Sequence, residues 1–440
     1  MPRISGGRLN FAHQLTRVPW AATLLRKLVT RDMGLNAALD LVPVETEILL
    51  SPLPLQANSP RQWSDAAYGA PTAARGSGVE LRAAYASNKT DPREALERLI
   101  KRAESGRFGL STHSPFVCAD WERARKQADA SRARYASGKT LGALDGIPVP
   151  VKDNLDIANL PTRVGTSYRN EPAKQDCFAV NALVASGALL AGKSHVTEWL
   201  MNGWGMNHHF DMPRNVWSSE HGAGGSSTGS AVAVALGFAP VSIGSDGGGS
   251  IRIPAAKNGL FGLKPTFVRI SRTGDHLRAC SMCHTGPLGR STEDLVDLME
   301  SIGCLADPDD PLTQVGPIGS AVAAQWRSAL GRGVKGCRMG VIRSELEETH
   351  PAHRQACIES LAALEAEGAI LVDVELPLAK YAPVIGGLSL VPEVLAALHH
   401  DRVAHRGDIG AESLMLLNVM NRITLHQHLM VRRARTALRR

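Results

Sequence analysis

The sequence predicts an α/β protein, and three observations carry that prediction. Residues 178–186 show the apolar spacing of a helix, and residues 188–193 follow as a short buried strand. The same order recurs downstream, where residues 231–239 are long enough for a buried helix and residues 240–243 suit a buried strand. The chain has 440 residues, of which 44% are hydrophobic. That suits one large α/β domain with an appendage around an ordinary globular core.

Taken in order, residues 1–78 read as a helical extension and linker, and residues 79–440 as the main domain. Within the extension, residues 20–30 form a short amphipathic helix, residues 35–50 are apolar without caps, and residues 52–78 are rich in Pro, Ala, Ser and Gly. Asp91-Pro92-Arg93-Glu94 then marks a helix start, with Ala95, Leu96, Leu99 and Ile100 as its apolar stripe and Gly106 near its end. Residues 121–135 make a charged helix. Residues 146–151 alternate apolar residues with prolines and suit a strand that delivers Lys152 to the core. After the pair at 178–193, His195, Glu198, His208 and His209 fall on a connection. Their spacing suits pocket-mouth polar residues better than metal ligands, and no metal is expected. Ser291 or Thr292 caps a later helix with Glu293 and Asp294 in its first turn. Residues 308–317 form a loop, strands at 337–342 and 369–374 flank a helix at 351–367, and the remainder from 379 is helical and His-rich.

Composition excludes several function classes. The net charge is +7, but aromatic residues make up only 5% and no basic block adjoins a stacking platform, so no nucleic acid is expected. Much of the excess sits in the tail, at Arg432, Arg433, Arg435, Arg439 and Arg440, and reads as a solvated end. Seven scattered cysteines point to reduced thiols and a cytoplasmic protein. Cys280-Ser-Met-Cys283-His284 matches haem attachment by its letters alone, and no secretory signal accompanies it. No apolar run is long enough to span a bilayer, so no membrane is expected.

The chemistry concentrates in residues 221–266. Gly224-Gly225-Ser226-Ser227-Thr228-Gly229-Ser230 and Gly247-Gly248-Gly249-Ser250 flank the second helix–strand pair. Glycines beside serines present backbone N–H groups and hydroxyls to something small. A phosphate cradle would require a Gly-Lys-Ser/Thr ending, which neither cluster has. A Gly-x-Ser-x-Gly elbow fails because Ile251-Arg252 follow Ser250. What remains is acyl transfer by a nucleophilic serine beside N–H donors, or glycines that only permit tight packing.

The same stretch resembles the amidase signature family of serine hydrolases. The resemblance rests on Gly-Gly-Ser-Ser-x-Gly-Ser, on Gly-x-Asp-x-Gly-Gly-Ser-Ile-Arg-Ile-Pro-Ala and on Gly-Leu-x-Gly-Leu-Lys-Pro-Thr, with an upstream block from Gly146 to Asn154. It implies a large mixed, twisted β-sheet flanked by helices on both faces. It also implies Ser250 as nucleophile, Ser226 as bridging serine after a cis peptide, and Lys152 as base. The N–H groups of Gly247, Gly248, Gly249 and Ser250 would hold the oxyanion, with Ser227, Asp246 and Arg252 in support. Asp153 need not pair with Lys152, because neighbouring strand residues point to opposite faces. The implied partner is a small-molecule amide, with no cofactor; a homodimer is an assembly open to it. Thr228 stands where the family has glycine and Gly247 where threonine is common, changes expected to loosen the loop. The chain also ends at Arg440, short of the family's usual last strand and helix. Two other readings stay open: the amidase-like subunit of a glutamine-dependent tRNA amidotransferase, against which Ile253 stands where glutamine is expected, and a catalytically impaired protein.

Overall fold

The computed structural model describes residues 76–106, 108–111, 113–276 and 281–439. The expected helix at 20–30, the apolar segment at 35–50 and Cys280 lie outside them. Strands β2 (Pro148–Lys152), β3 (Leu189–Ser194) and β4 (Val241–Asp246) are buried along their whole length. Strands apolar on both sides need cover on both faces, and these three pair in parallel, β3 with β2 and β2 with β4. The strands β1 (Phe116–Cys118), β5 (Phe261–Gly262) and β6 (His284–Gly289) add antiparallel pairings, giving the order β1-β3-β2-β4-β6-β5. The sheet is mixed, as expected.

Helices flank both faces. Helix α1 spans Gly78–Ala86, and α2 runs Pro92–Glu104 from an Asp91 cap that accepts the Arg93 and Glu94 N–H groups. Leu96 and Ile100 of α2 and Ala124 and Ala128 of α3 (Trp121–Ala136) pack with Leu189. Leu99 and Ala233, the latter on α5 (Thr228–Ala235), pack with Ala191 on the same sheet face. Helices α4 (Phe178–Ala185) and α7 (Thr292–Ile302) contact each other and strands β3 and β6. Helix α7 starts with a reciprocal Ser291–Asp294 capping box.

The element that matters most differs from the sequence expectation. Helix α5 begins at Thr228 and stops at Ala235, where Gly237 at φ +77° turns the chain. Strand β4 then runs on to Asp246, so the second glycine cluster leaves directly from a strand end, ahead of α6 (Arg252–Asn258).

The described residues fall into two compact units, one of 76–323 with 390–423, the other of 324–389 with 424–439. In the second, β7 (Arg338–Val341) and β8 (Ile370–Asp373) pair in parallel, and the helix Pro351–Ala366 connects them in sequence, matching the expected strand–helix–strand run. Among the described residues, no helix is long and apolar enough to cross a membrane.

Candidate active site

Lys152 is the last residue of β2 and has no exposed surface. Its amine lies 2.8 Å from Ser226 Oγ, 2.9 Å from Ser245 Oγ and 3.0 Å from the Ser245 carbonyl. All three partners are neutral. Burial therefore dominates and pulls the ammonium down to about 7, opposed by Asp275, Asp246 and Cys283. Asp153 does not neutralise that amine. Its carboxylate turns to Lys193 on β3, with Nζ to Oδ1 at 2.8 Å.

Ser226 is buried just ahead of α5, and the Gly225–Ser226 peptide is cis. The next residue ties the two clusters together. The Ser227 N–H donates to the Ser250 carbonyl at 3.2 Å, and its hydroxyl donates to the Ser245 carbonyl at 3.2 Å. The loop 247–250 thus lies beside residues 226–227 at the carboxyl ends of parallel β2 and β4, where open α/β sheets place their ligands. Ser250 itself is partly exposed.

Asp246 sets the shape of that loop. Its carboxylate accepts the Gly249 N–H at 2.7 Å and the Ile251 N–H at 3.1 Å, and takes the Arg252 guanidinium through Nε and Nη2, each at 3.0 Å. Burial pushes this carboxyl up, and the Arg252 ion pair with the loop N–H groups brings it below its ordinary value. The Gly249 N–H, one of the expected oxyanion donors, is thus engaged by Asp246. Among the described residues, no protein acceptor takes the N–H of Gly247, Gly248 or Ser250.

Both departures at the loop have close neighbours in the structure. Thr228 donates its hydroxyl to the Gly224 carbonyl at 2.8 Å and so closes the first cluster. At Gly247 an added Cβ would come within 3.3 Å of both Cys283 Sγ and Leu390 Cδ1, so glycine fits the space the neighbours leave.

Ser245 has no place in the sequence expectation, which ends this strand at Ile243. A hydroxyl residue next to Asp246 in an apolar strand is the signal that points to it. The cluster on the connection after β3 is gathered only in part. Glu198 accepts from Ser413 at 2.6 Å, pairs with His209 at 2.7 Å and takes the Gly410 N–H at 3.1 Å, whereas His195 packs against Phe210.

A buried amine and serine hydroxyls thus meet at the carboxyl edge of a mixed sheet. A family model described as Amidase matches residues 94–433. The chain belongs to the amidase signature family. It is 36% identical over 321 residues, 73% of its length, to a Glutamyl-tRNA(Gln) amidotransferase subunit from Deinococcus radiodurans. It is 37% identical over 269 residues, 60% of its length, to the AtzE subunit of the 1-carboxybiuret hydrolase of a Pseudomonas species. The chain spans 64% of the first relative and 56% of the second. Among solved structures, the peptide amidase of Stenotrophomonas maltophilia superposes with a TM-score of 0.71 at 27% identity, covering 81% of this chain and 78% of that one.

Proposed function

We propose that this protein is an amidase that hydrolyses a small-molecule carboxylic amide to an acid and ammonia or an amine. Supporting this is one observation above the others: a fully buried lysine amine 2.8 Å from the Ser226 hydroxyl, whose hydrogen-bond partners are all neutral. An amide carbonyl is a poor electrophile, so cleavage needs an activated nucleophile, oxyanion donors and a proton for the leaving amine. Neutral Lys152 takes the Ser226 proton as Ser226 takes that of Ser250, and Ser250 Oγ attacks the carbonyl carbon. The N–H groups of Gly247, Gly248 and Ser250 receive the developing oxyanion. As the C–N bond breaks, the proton returns through Ser226 to the leaving nitrogen. Water then enters by the same relay and cleaves the acyl-enzyme at Ser250.

Release of acid and amine across a panel of aliphatic, aromatic, cyclic and carbamoyl amides tests this reading, with Ser250→Ala as control. The expected loss is roughly a thousandfold or more. Hydrolysis that survives the substitution removes Ser250 from the nucleophile's role.

A second reading is favoured by the 36% identity to a Glutamyl-tRNA(Gln) amidotransferase chain. It assigns the same chemistry to glutamine, inside a complex that passes ammonia to charged tRNA. Glutaminase activity that rises with charged tRNA supports it, and a rate indifferent to tRNA rules it out.

A further inference from the structure

Asp275 is a buried carboxylate, 5% exposed, that the mechanism above leaves without a task. Its loop is zipped to the turn that follows Lys152. The Asp156 N–H donates to the Gly274 carbonyl at 3.1 Å, the His276 N–H donates to the Asn154 carbonyl at 2.8 Å, and Leu155 bridges Asp275 in antiparallel fashion. Inside this zipper the Asn154 side-chain amide donates to Asp275 Oδ1. The Asn154 and Leu155 N–H groups close back onto the Lys152 carbonyl at 2.8 and 3.1 Å. The carboxylate is thus anchored, through a neutral amide, two residues from the proposed base.

We propose that Asp275 is a positioning residue for amide hydrolysis: its carboxylate, held by Asn154, sets how much of the Lys152 amine carries a proton. The inference rests on the reading of Lys152 as base for its catalytic consequence. Three charged or titratable groups act on the amine through space: Asp275 from this loop, Asp246 from the end of β4, and Cys283 ahead of β6. Asp246 is offset by the two-point contact with Arg252. Asp275 is the strongest influence favouring the ammonium, against the burial that disfavours it. Also near the Asp275 loop are the Cys177 thiol, which burial pushes up to about 12, and the His276–Asp156 pair at 2.9 Å. Arg272 leads into the loop and reaches Asp310 at 3.6 Å. Too strong a field would leave the lysine protonated and idle; too weak a field would make it a poor base.

The test titrates Lys152 directly in the full chain, by NMR of lysine labelled with 13C at Cε, its resonance assigned by its loss in Lys152→Met. Asp275→Asn keeps the size and the acceptor oxygen for Asn154 but removes the charge. The midpoint is expected to fall from about 7 to about 6, with the acid limb of hydrolysis moving in step. Asp275→Glu, which keeps the charge, is expected to stay near the native midpoint. Should Asp275→Asn fail to fold, Asp275→Leu is titrated with the same expectation. A midpoint unmoved by loss of the charge overturns the proposal, and so does an equal fall in Asp275→Glu, which would assign the effect to packing. The titration needs no turnover, so an enzyme inert towards amides would defeat the proposed function and leave this readout decisive.

Discussion

Lys152 ends β2 and Lys193 sits one strand away on β3, both with no exposed surface, yet their amines are held by different chemistry. Lys193 meets the Asp153 carboxylate at 2.8 Å, Thr162 Oγ1 at 2.6 Å and the Pro161 carbonyl at 3.0 Å. Lys152 meets only hydroxyls and a carbonyl. A buried ammonium opposite a carboxylate is a structural pair, whereas one opposite neutral groups can give up its proton. Asp153 produces the difference. It adjoins Lys152 in sequence, but the turn after β2 brings it to the other lysine, so one carboxylate satisfies Lys193 and leaves Lys152 free for the proposed role of base.

The comparison breaks most visibly at Lys152. Lys152→Met is expected to lower amide hydrolysis roughly a thousandfold, within the range for loss of a general base, while the melting temperature holds or rises. Activity within tenfold of the native rate would make the two lysines equivalent. Next in size is Lys193→Met, which leaves Asp153 buried alone and should cost about 3–5 kcal/mol in chemical denaturation. The double variant Lys193→Met, Asp153→Leu should recover most of that loss. A double variant as unstable as the single would deny that the two groups act as a pair.

A smaller effect separates the lysines by pH. The folded Lys152 releases its proton near 7, and the unfolded one near 10.5. Between those values the unfolded chain binds more protons, so stability rises with pH, by up to about 1.4 kcal/mol per pH unit from this group. Urea denaturation across that window should show the slope, and Lys152→Met should flatten it. Hydrolysis needs the neutral amine and should rise through the same midpoint as pH increases. The smallest expectation concerns the first cluster. Thr228→Val keeps the shape but loses the hydroxyl bond to Gly224, at a cost of about 1 kcal/mol. An unchanged midpoint in urea would mean that the loop closes without it.

Much of this is legible in the letters, unevenly. Helix α2 is readable because Asp91, Pro92 and the apolar spacing act within one turn or two. The capping box of α7 is readable for the same local reason. Strand β2 and Lys152 at its end follow from an apolar run and a motif. The end of β4 escapes such a reading because Gly244 and the hydroxyl residues around it look like loop, and pairing with β6 keeps Ser245 and Asp246 in the strand. The Gly249 N–H escapes it because letters do not say which acceptor a backbone donor will find.

Letters alone suffice for the family, for the alternation of helix and strand, and for the short list of hydroxyls and amines near the glycine clusters. Each depends on neighbours a few residues apart or on an ordered motif. Folding in three dimensions settles which lysine Asp153 faces, that Ser245 holds the other, and that Asp275 is pinned to the turn that follows it. Those outcomes depend on desolvation and charge, which act over a few ångströms between groups far apart in the chain. Lys152 and Ser226 are separated by 74 positions, and Asn154 and Asp275 by 121.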